Sequence, residues 1–369
     1  MFNILKVKSS YKINKKSYST LKRYLIDIEG VIDVFIDEIN SHSITIKHSG
    51  NESYIEQEAA KILEINANAF TSQSSYPITC SCSKAQETHV TIADEDILST
   101  LLSRGEVCYS RDGEFYYGAT LKKAIEKIDT TFLRLMSNFF NYEESYSSPA
   151  IKMESLGKIT DLSELSRELM IASHFDNTSI DKVNDTKTKP KWVLPAAPCL
   201  KIYLLNENKE INSNLIYSTR GLCFRNESKE KHGFERMETF NQRELVFIGD
   251  KEHVSNMVVL AKEKIFDFFK HLNINVYDEV AKDPFFMNPD KRDKYDINGS
   301  IKTEIRARLN NSGKSISVAS FDVHGNFFGK KCNIKKENEE VFSACLGIGI
   351  ERIIWAFLIQ NGFDALKGI

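Results

Sequence analysis

The chain has 369 residues, of which 41% are apolar and 27% charged, with a formal net charge of −2. That length accommodates one large domain and a small one, and the composition excludes collagen-like and low-complexity chains. The balanced charge offers no basic field for nucleic acid, no apolar run approaches the roughly 20 residues of a membrane span, and the start lacks a signal-peptide pattern. The seven cysteines, an odd number without a compact disulfide framework, fit a reducing cytoplasm.

In chain order, Ile4 to Ser9 reads as a strand, Lys16 to Ile28 as an amphipathic helix ending at Gly30, and Val31 to Phe35 and Ser43 to Lys47 as alternating strands. Glu52 to Leu63 reads as a second helix. The order β-α-β-β-α predicts a small ferredoxin-like module over residues 1–70. It lacks the paired cysteines of a metal carrier, and its expected role is docking, dimerisation or structure alone. The polar stretch Thr71 to Pro77 marks the boundary with a larger domain, residues 71–369.

That domain opens with a long amphipathic helix, Tyr117 to Phe140, followed by Tyr142 to Pro149. Asn177 to Pro190 is polar and reads as a loop. Strands are predicted at Cys199 to Leu205, Leu222 to Glu227, Met237 to Ile248, Ile301 to Leu309 and Ser315 to Val323, and helices at His253 to Leu272 and Gly349 to Gln360. The pattern predicts an α+β domain in which helices cover an antiparallel sheet. Cys80 and Cys82 form the one close cysteine pair, at a spacing poor for a structural metal site.

Two segments carry chemistry. The first is Gly221-Leu-Cys-Phe-Arg225-Asn-Glu227, resumed at Arg236-Met-Glu-Thr-Phe240-Asn-Gln-Arg-Glu244; the second is Ala344-Cys-Leu-Gly347-Ile-Gly349-Ile-Glu-Arg352. An aromatic with Arg-x-Glu, a polar loop and Arg-x-x-x-Phe resembles motif 2 of the class II aminoacyl-tRNA synthetases. Gly-x-Gly-x-Glu-Arg resembles their motif 3, and the long helix, the strand after it and the terminal Pro149 are similar to motif 1, their dimer interface. Against a bland reading as a charged surface strand and a Gly-rich helix start, the ordered pair favours the resemblance.

The resemblance implies an ATP-dependent, amino-acid-activating site. Arg225, planar and always charged, suits the α-phosphate and the substrate carboxylate. Glu227 lies two residues along the same strand face and suits the adenine amino group. Phe240 suits stacking on the base and Arg352 the γ-phosphate, while Gly347 and Gly349 let backbone approach the nucleotide. The seryl branch includes an atypical set holding zinc on Cys, Glu and Cys, and Cys199, Glu244 and Cys345 fall at matching places. Without the family, Cys199 and Cys345 read as ordinary buried cysteines.

The segment from about Ile92 to Phe363 is most similar to the amino acid:[carrier protein] ligases, truncated relatives of those seryl enzymes. Ala281 to Phe286, Lys302-Thr-Glu304 and His324 to Gly329 add to the match, with Glu304 and His324 as candidate pocket residues. The resemblance implies Zn2+, Mg2+ and ATP, a homodimer, a small amino acid, and transfer to the phosphopantetheine thiol of an acyl or peptidyl carrier protein, with no tRNA and no membrane. Lys262 to Lys264 and Lys291 to Lys294 are candidate docking residues for the acidic carrier. The strand Ser315 to His324 shows no evident carboxylate for magnesium, Asp322 and Glu340 being substitutes. The alternatives are a tRNA-linked seryl-type synthetase or aminoacyl-transfer paralogue, and a degenerate regulatory paralogue, which intact motifs argue against.

Overall fold

A computed structural model describes residues 2–13, 21–22, 25–26, 28–35, 41–71, 92–93, 96–109, 115–146, 148–160, 169–172, 191–226, 233–281, 302–311 and 313–368. Glu227, Cys80, Cys82, Lys291 to Lys294, the boundary stretch from Ser72 to Pro77, Asn177 to Pro190 and most of the predicted helix Lys16 to Ile28 lie outside them. The chain divides into two units, Met1–Ile78 holding the first and most of the remainder the second.

In the first unit, β1 (Asn3–Ile13), β2 (Val31–Phe35) and β3 (Ser41–His48) form an antiparallel sheet ordered β1-β3-β2. Its apolar alternation drives Leu5, Val7, Val34, Ile44 and Ile46 to one side. They pack with Ile55, Ala59, Ile62 and Leu63 of helix α1 (Glu52–Thr71). The three strands and α1 agree with the expected order, β1 and α1 running further than the pattern indicated; the first expected helix lies mostly outside the described residues.

The second unit begins with α2 (Ile97–Ser103), the hairpin β4 (Val107–Tyr109) and β5 (Phe115–Tyr117), α3 (Ala119–Met136) and β6 (Glu143–Ser145). A small sheet follows from β7 (Ile151–Lys152), β8 (Met170–Ala172) and β9 (Trp192–Leu194), with α4 (Met153–Ile159) between β7 and β8. Next come α5 (Leu200–Leu205), β10 (Leu215–Phe224), β11 (Thr239–Gly249), α6 (Lys251–His271), β12 (Val276–Ala281), β13 (Lys302–Arg308) and β14 (Ser315–Gly325). The chain ends through α7 (Phe327–Lys331), the hairpin β15 (Lys335–Lys336) and β16 (Glu339–Glu340), β17 (Phe342–Gly349) and α8 (Ile350–Asn361).

Seven strands form the main sheet in the order β12-β13-β14-β17-β11-β10-β6. It is antiparallel except at the edge, where β6 runs parallel to β10. One face is apolar: Leu245, Phe247, Phe321, Ala344, Leu346 and Ile348 pack on α6, α3 and α8. Helix α6 turns Val254, Val258, Ala261, Ile265 and Phe268 toward that face, the stripe expected of an amphipathic helix. Helix α8 stops at Gly362, whose φ of 80° is the left-handed conformation that ends helices at little cost.

The predicted strand Cys199 to Leu205 is instead the helix α5. Leu200, Ile202 and Leu204 alternate like a strand, but Pro198 lies just before the N-cap Cys199 and opens a turn, its carbonyl accepting from Lys201 N at 3.3 Å. Ile202 N donates to Cys199 O at 2.9 Å. Strands β12 and β17 were not among the expected elements. The Gly-rich run that ends β17 read as a helix start, which is true only from Ile350 onward.

A buried ion network fastens α3 to the sheet. Arg243, 4% exposed, donates from Nε and Nη2 to Asp129 at 2.7 and 2.8 Å, and from Nη1 to Ser218 at 3.0 Å and to Glu144. Arg220 adds bonds to Asp129 and Glu126. Asp129→Ala is expected to destabilise the fold by about 3–5 kcal/mol, because Arg243 is left charged and buried without its main partner. Chemical denaturation measures this; a loss under about 1 kcal/mol would contradict the network's role.

Candidate functional site

The sheet's other face carries the chemistry, and strand register explains why. Gln242 pairs with Gly349, Glu244 with Gly347 and Val246 with Cys345 across β11 and β17. Cys345 pairs in turn with Asp322, and Gly347 with Ser320, on β14. On the far side of β11, Cys223 pairs with Phe240 and Gly221 with Gln242. Paired residues share a face and neighbours alternate. Phe240, Gln242, Glu244, Cys345, Gly347 and Gly349 therefore stand on one side, with Arg225 just beyond the end of β10.

Arg225 is held in advance of any ligand. Its Nε donates to Ala196 O at 3.1 Å, its backbone N to Glu238 O at 2.9 Å, and its guanidinium lies 5.1 Å from the centre of the Phe240 ring. Gly347 leaves room for its neighbours' side chains: a Cβ there would come within 2.5 Å of Gln242 Nε2, which would have to move, and 3.3 Å of a Glu244 oxygen. Both side chains cross the strand at this point. Arg352, on the first turn of α8, donates to Ser317 O at 3.4 Å. Beside it Glu351 is buried, and burial raises its carboxyl to about 7 although Asn241 donates to it from N and Nδ2.

Cys199, Glu244 and Cys345 converge. Their ligand atoms lie within 4.8 Å of one another and all three residues are buried. Both cysteines are free thiols. Glu244 Oε2 accepts from Cys199 N at 2.6 Å, and Oε1 accepts from Gln242 Nε2 at 3.1 Å. Burial pushes the Glu244 carboxyl up to about 7. The hydrogen bond that Cys199 donates to Cys345, with burial behind it, raises the Cys199 thiol. Cys345 is drawn down by its bond with Cys199 but driven up more strongly by burial and Glu244, to about 11. The cluster thus concentrates ionisable donors whose anions are costly in the fold as it stands. A divalent cation would supply the missing counter-charge, so the donor set fits a metal.

Other expected residues separate. His324 is buried against Cys345, while Glu304 on β13 forms an ion pair with Arg306 at 2.6 Å. Asp322 lies on the functional face, bonded to Ser320 at 3.1 Å and 3.5 Å from Lys302 Nζ. Glu340 lies in the exposed hairpin with β15. Gln242 and Tyr203 belong to the cluster and were not foreseen. Gln242 had a signal, standing two residues before Glu244 on one strand face; Tyr203 sits one helical turn after Cys199, on a segment expected to be extended.

Residues 182–361 match the family model described as the tRNA synthetase class II core domain (G, H, P, S and T). The type-2 serine–tRNA ligase of Methanothermobacter thermautotrophicus is 24% identical over 279 residues, covering 68% of this chain and 54% of the relative. That of Methanocaldococcus jannaschii is 26% identical over 210 residues, covering 54% and 40%. The chain thus spans about half the length of the first of these relatives, or less. A solved M. kandleri SerRS, in complex with A. aeolicus tRNASec, superposes with a TM-score of 0.71 at 16% identity, covering 98% of this chain and 75% of that one. The fold is that of a class II synthetase.

These findings overturn the expected partner. A carrier protein and no tRNA was the reading from sequence, yet the relatives are serine–tRNA ligases and the structural neighbour is in complex with a tRNA. Net charge averages over the whole surface, so a value near zero says nothing of one basic face. Of the expected docking lysines, Lys262 and Lys264 are described, and both are engaged locally. Lys262 donates to Thr303 at 3.2 Å, and Lys264 bonds Glu263 at 2.6 Å and lies over Phe139. No helix among the described residues is long and apolar enough to cross a membrane.

Proposed function

We propose, from the premise that residues 182–361 are a class II aminoacyl-tRNA synthetase core, that this chain activates a small amino acid, serine first, as its adenylate and serves aminoacylation of a tRNA. The observation that carries this reading is the meeting of Cys199, Glu244 and Cys345 on the sheet face that also presents Phe240 and Gly347. Two thiolates and a carboxylate are a zinc donor set that leaves a fourth position open, as working rather than structural zinc sites do. When bound, zinc supplies a Lewis-acidic anchor for the α-amino group of the substrate.

The chain's own residues do the rest. Arg225 brings the substrate carboxylate and the α-phosphate together and offsets the charge that builds at phosphorus, the largest contribution in such a site. Phe240 stacks on adenine, Arg352 holds the γ-phosphate, and Gly347 and Gly349 keep the floor low enough for the nucleotide. Burial around Cys199 and Cys345 excludes water from the acyl-phosphate. Magnesium accompanies ATP.

The test is ATP–pyrophosphate exchange across the amino acids, followed by acceptor labelling. Serine-dependent exchange with label passing to tRNA is expected. Exchange confined to a large or aromatic amino acid would overturn the pocket assignment.

A further inference from the structure

Behind the proposed metal ligands stand two side chains that no part of the adenylation chemistry uses. Tyr203 of α5 is fully buried, and its Oη lies 3.1 Å from His324 Nδ1. His324 of β14 is 5% exposed, and its Nε2 lies 3.9 Å from Cys345 Sγ. Phe328 of α7 locks both rings: it stacks on Tyr203 at 3.9 Å and 9°, and meets His324 edge-on at 4.9 Å and 76°. His324 also sits where the pairing of β14 with β17 becomes irregular, a feature that fixes side-chain direction. Three elements thus cooperate to aim one imidazole at one sulfur.

We propose that Tyr203 and His324 form a positioning relay, in which Tyr203 Oη–H donates to His324 Nδ1 and His324 Nε2–H donates to the Cys345 thiolate, holding that sulfur toward the metal. The direction follows from the chemistry. A metal-bound thiolate has no proton to give, so Nε2 is the donor; a neutral ring then has Nδ1 as acceptor, and the phenol is the donor to it. A hydrogen bond to a ligating atom orients it and tunes its basicity, and loss of such a partner typically weakens metal binding about 10–100-fold. Gln242 plays the matching part for Glu244. The cluster Cys199, Glu244 and Cys345 keeps its open position for substrate, with His324 outside it.

This inference rests on the proposed zinc reading, and the test separates the two. Zinc affinity is measured by chelator competition on full-length wild-type protein and on His324→Leu, His324→Gln and Tyr203→Phe. Cobalt substitution then reports the sulfur-to-metal charge-transfer band of each. The relay predicts that His324→Leu and Tyr203→Phe bind zinc about 10–100-fold more weakly and shift the band. His324→Gln, whose side-chain amide restores an N–H at the Nε2 position, is expected to recover most of the affinity. Tyr203→Phe keeps the ring stack and so reads the relay even where His324→Leu fails to fold. Wild-type affinity and an unshifted band in Tyr203→Phe would overturn the relay while the zinc reading stands. Failure of His324→Gln together with a changed coordination number would make His324 a ligand instead. No zinc bound by wild type would overturn both.

Discussion

Arg225→Ala is expected to lower the rate of ATP–pyrophosphate exchange by at least about 10²–10³-fold, the usual cost of removing one preorganised donor from a developing charge. The side chain is fixed before substrate arrives, by Nε to Ala196 O and by the Phe240 ring under its guanidinium. Little reorganisation therefore remains for the moment of reaction. The loss should fall on turnover more than on affinity for ATP, because the charge it meets is greatest in the transition state. Arg225→Lys should stay well below wild type, since a point charge cannot span carboxylate and phosphate together. The residue is half-buried at a strand end, so thermal stability should change little. Exchange within tenfold of wild type in a folded Arg225→Ala protein would remove this residue from the reaction.

Cys345→Ala is expected to abolish stoichiometric zinc and amino-acid activation together. The three ligand residues come from the start of α5, from β11 and from β17, and each is buried. With one thiol gone, two donors remain, too few for a site that must leave a position open to substrate. The thiols must lose protons to bind, and Glu244 is held near 7. Zinc affinity should therefore weaken as pH falls through about 7, where protons compete for the carboxylate. Metal analysis of the purified variant, with exchange on the same preparation, checks both parts. Full activity in a metal-free Cys345→Ala protein would end the zinc assignment.

Much of the site was legible because strand alternation converts spacing into position. Phe240 and Glu244, four residues apart, share a face under any strand reading, and Gly347 marks a point where neighbouring side chains approach the strand closely. The meeting of Cys199 with Cys345 was not legible from spacing, because it depends on which strands are neighbours; only the resemblance to zinc-dependent seryl enzymes linked them. Helix α5 was misread since Leu200, Ile202 and Leu204 satisfy both periods and the proline before Cys199 was not weighed. Strand β17 was missed because one of its faces carries Cys345, Gly347 and Gly349, and such a Gly-rich run before an apolar helix reads as the start of that helix. His324 was placed in the pocket by the resemblance, whereas its bond to Tyr203 depends on α5 and β14 lying together. The partner was misjudged because it was carried over from the resemblance to the carrier-protein ligases, with whole-chain charge as modest support, whereas the relatives found are serine–tRNA ligases.

The most direct measurement is serine-dependent ATP–pyrophosphate exchange by the wild-type protein as purified, after removal of metal with a chelator, and after zinc is restored. The account predicts exchange in the first state, its loss in the second and its recovery in the third, with one zinc regained per chain. Undiminished exchange in the metal-free protein would contradict it.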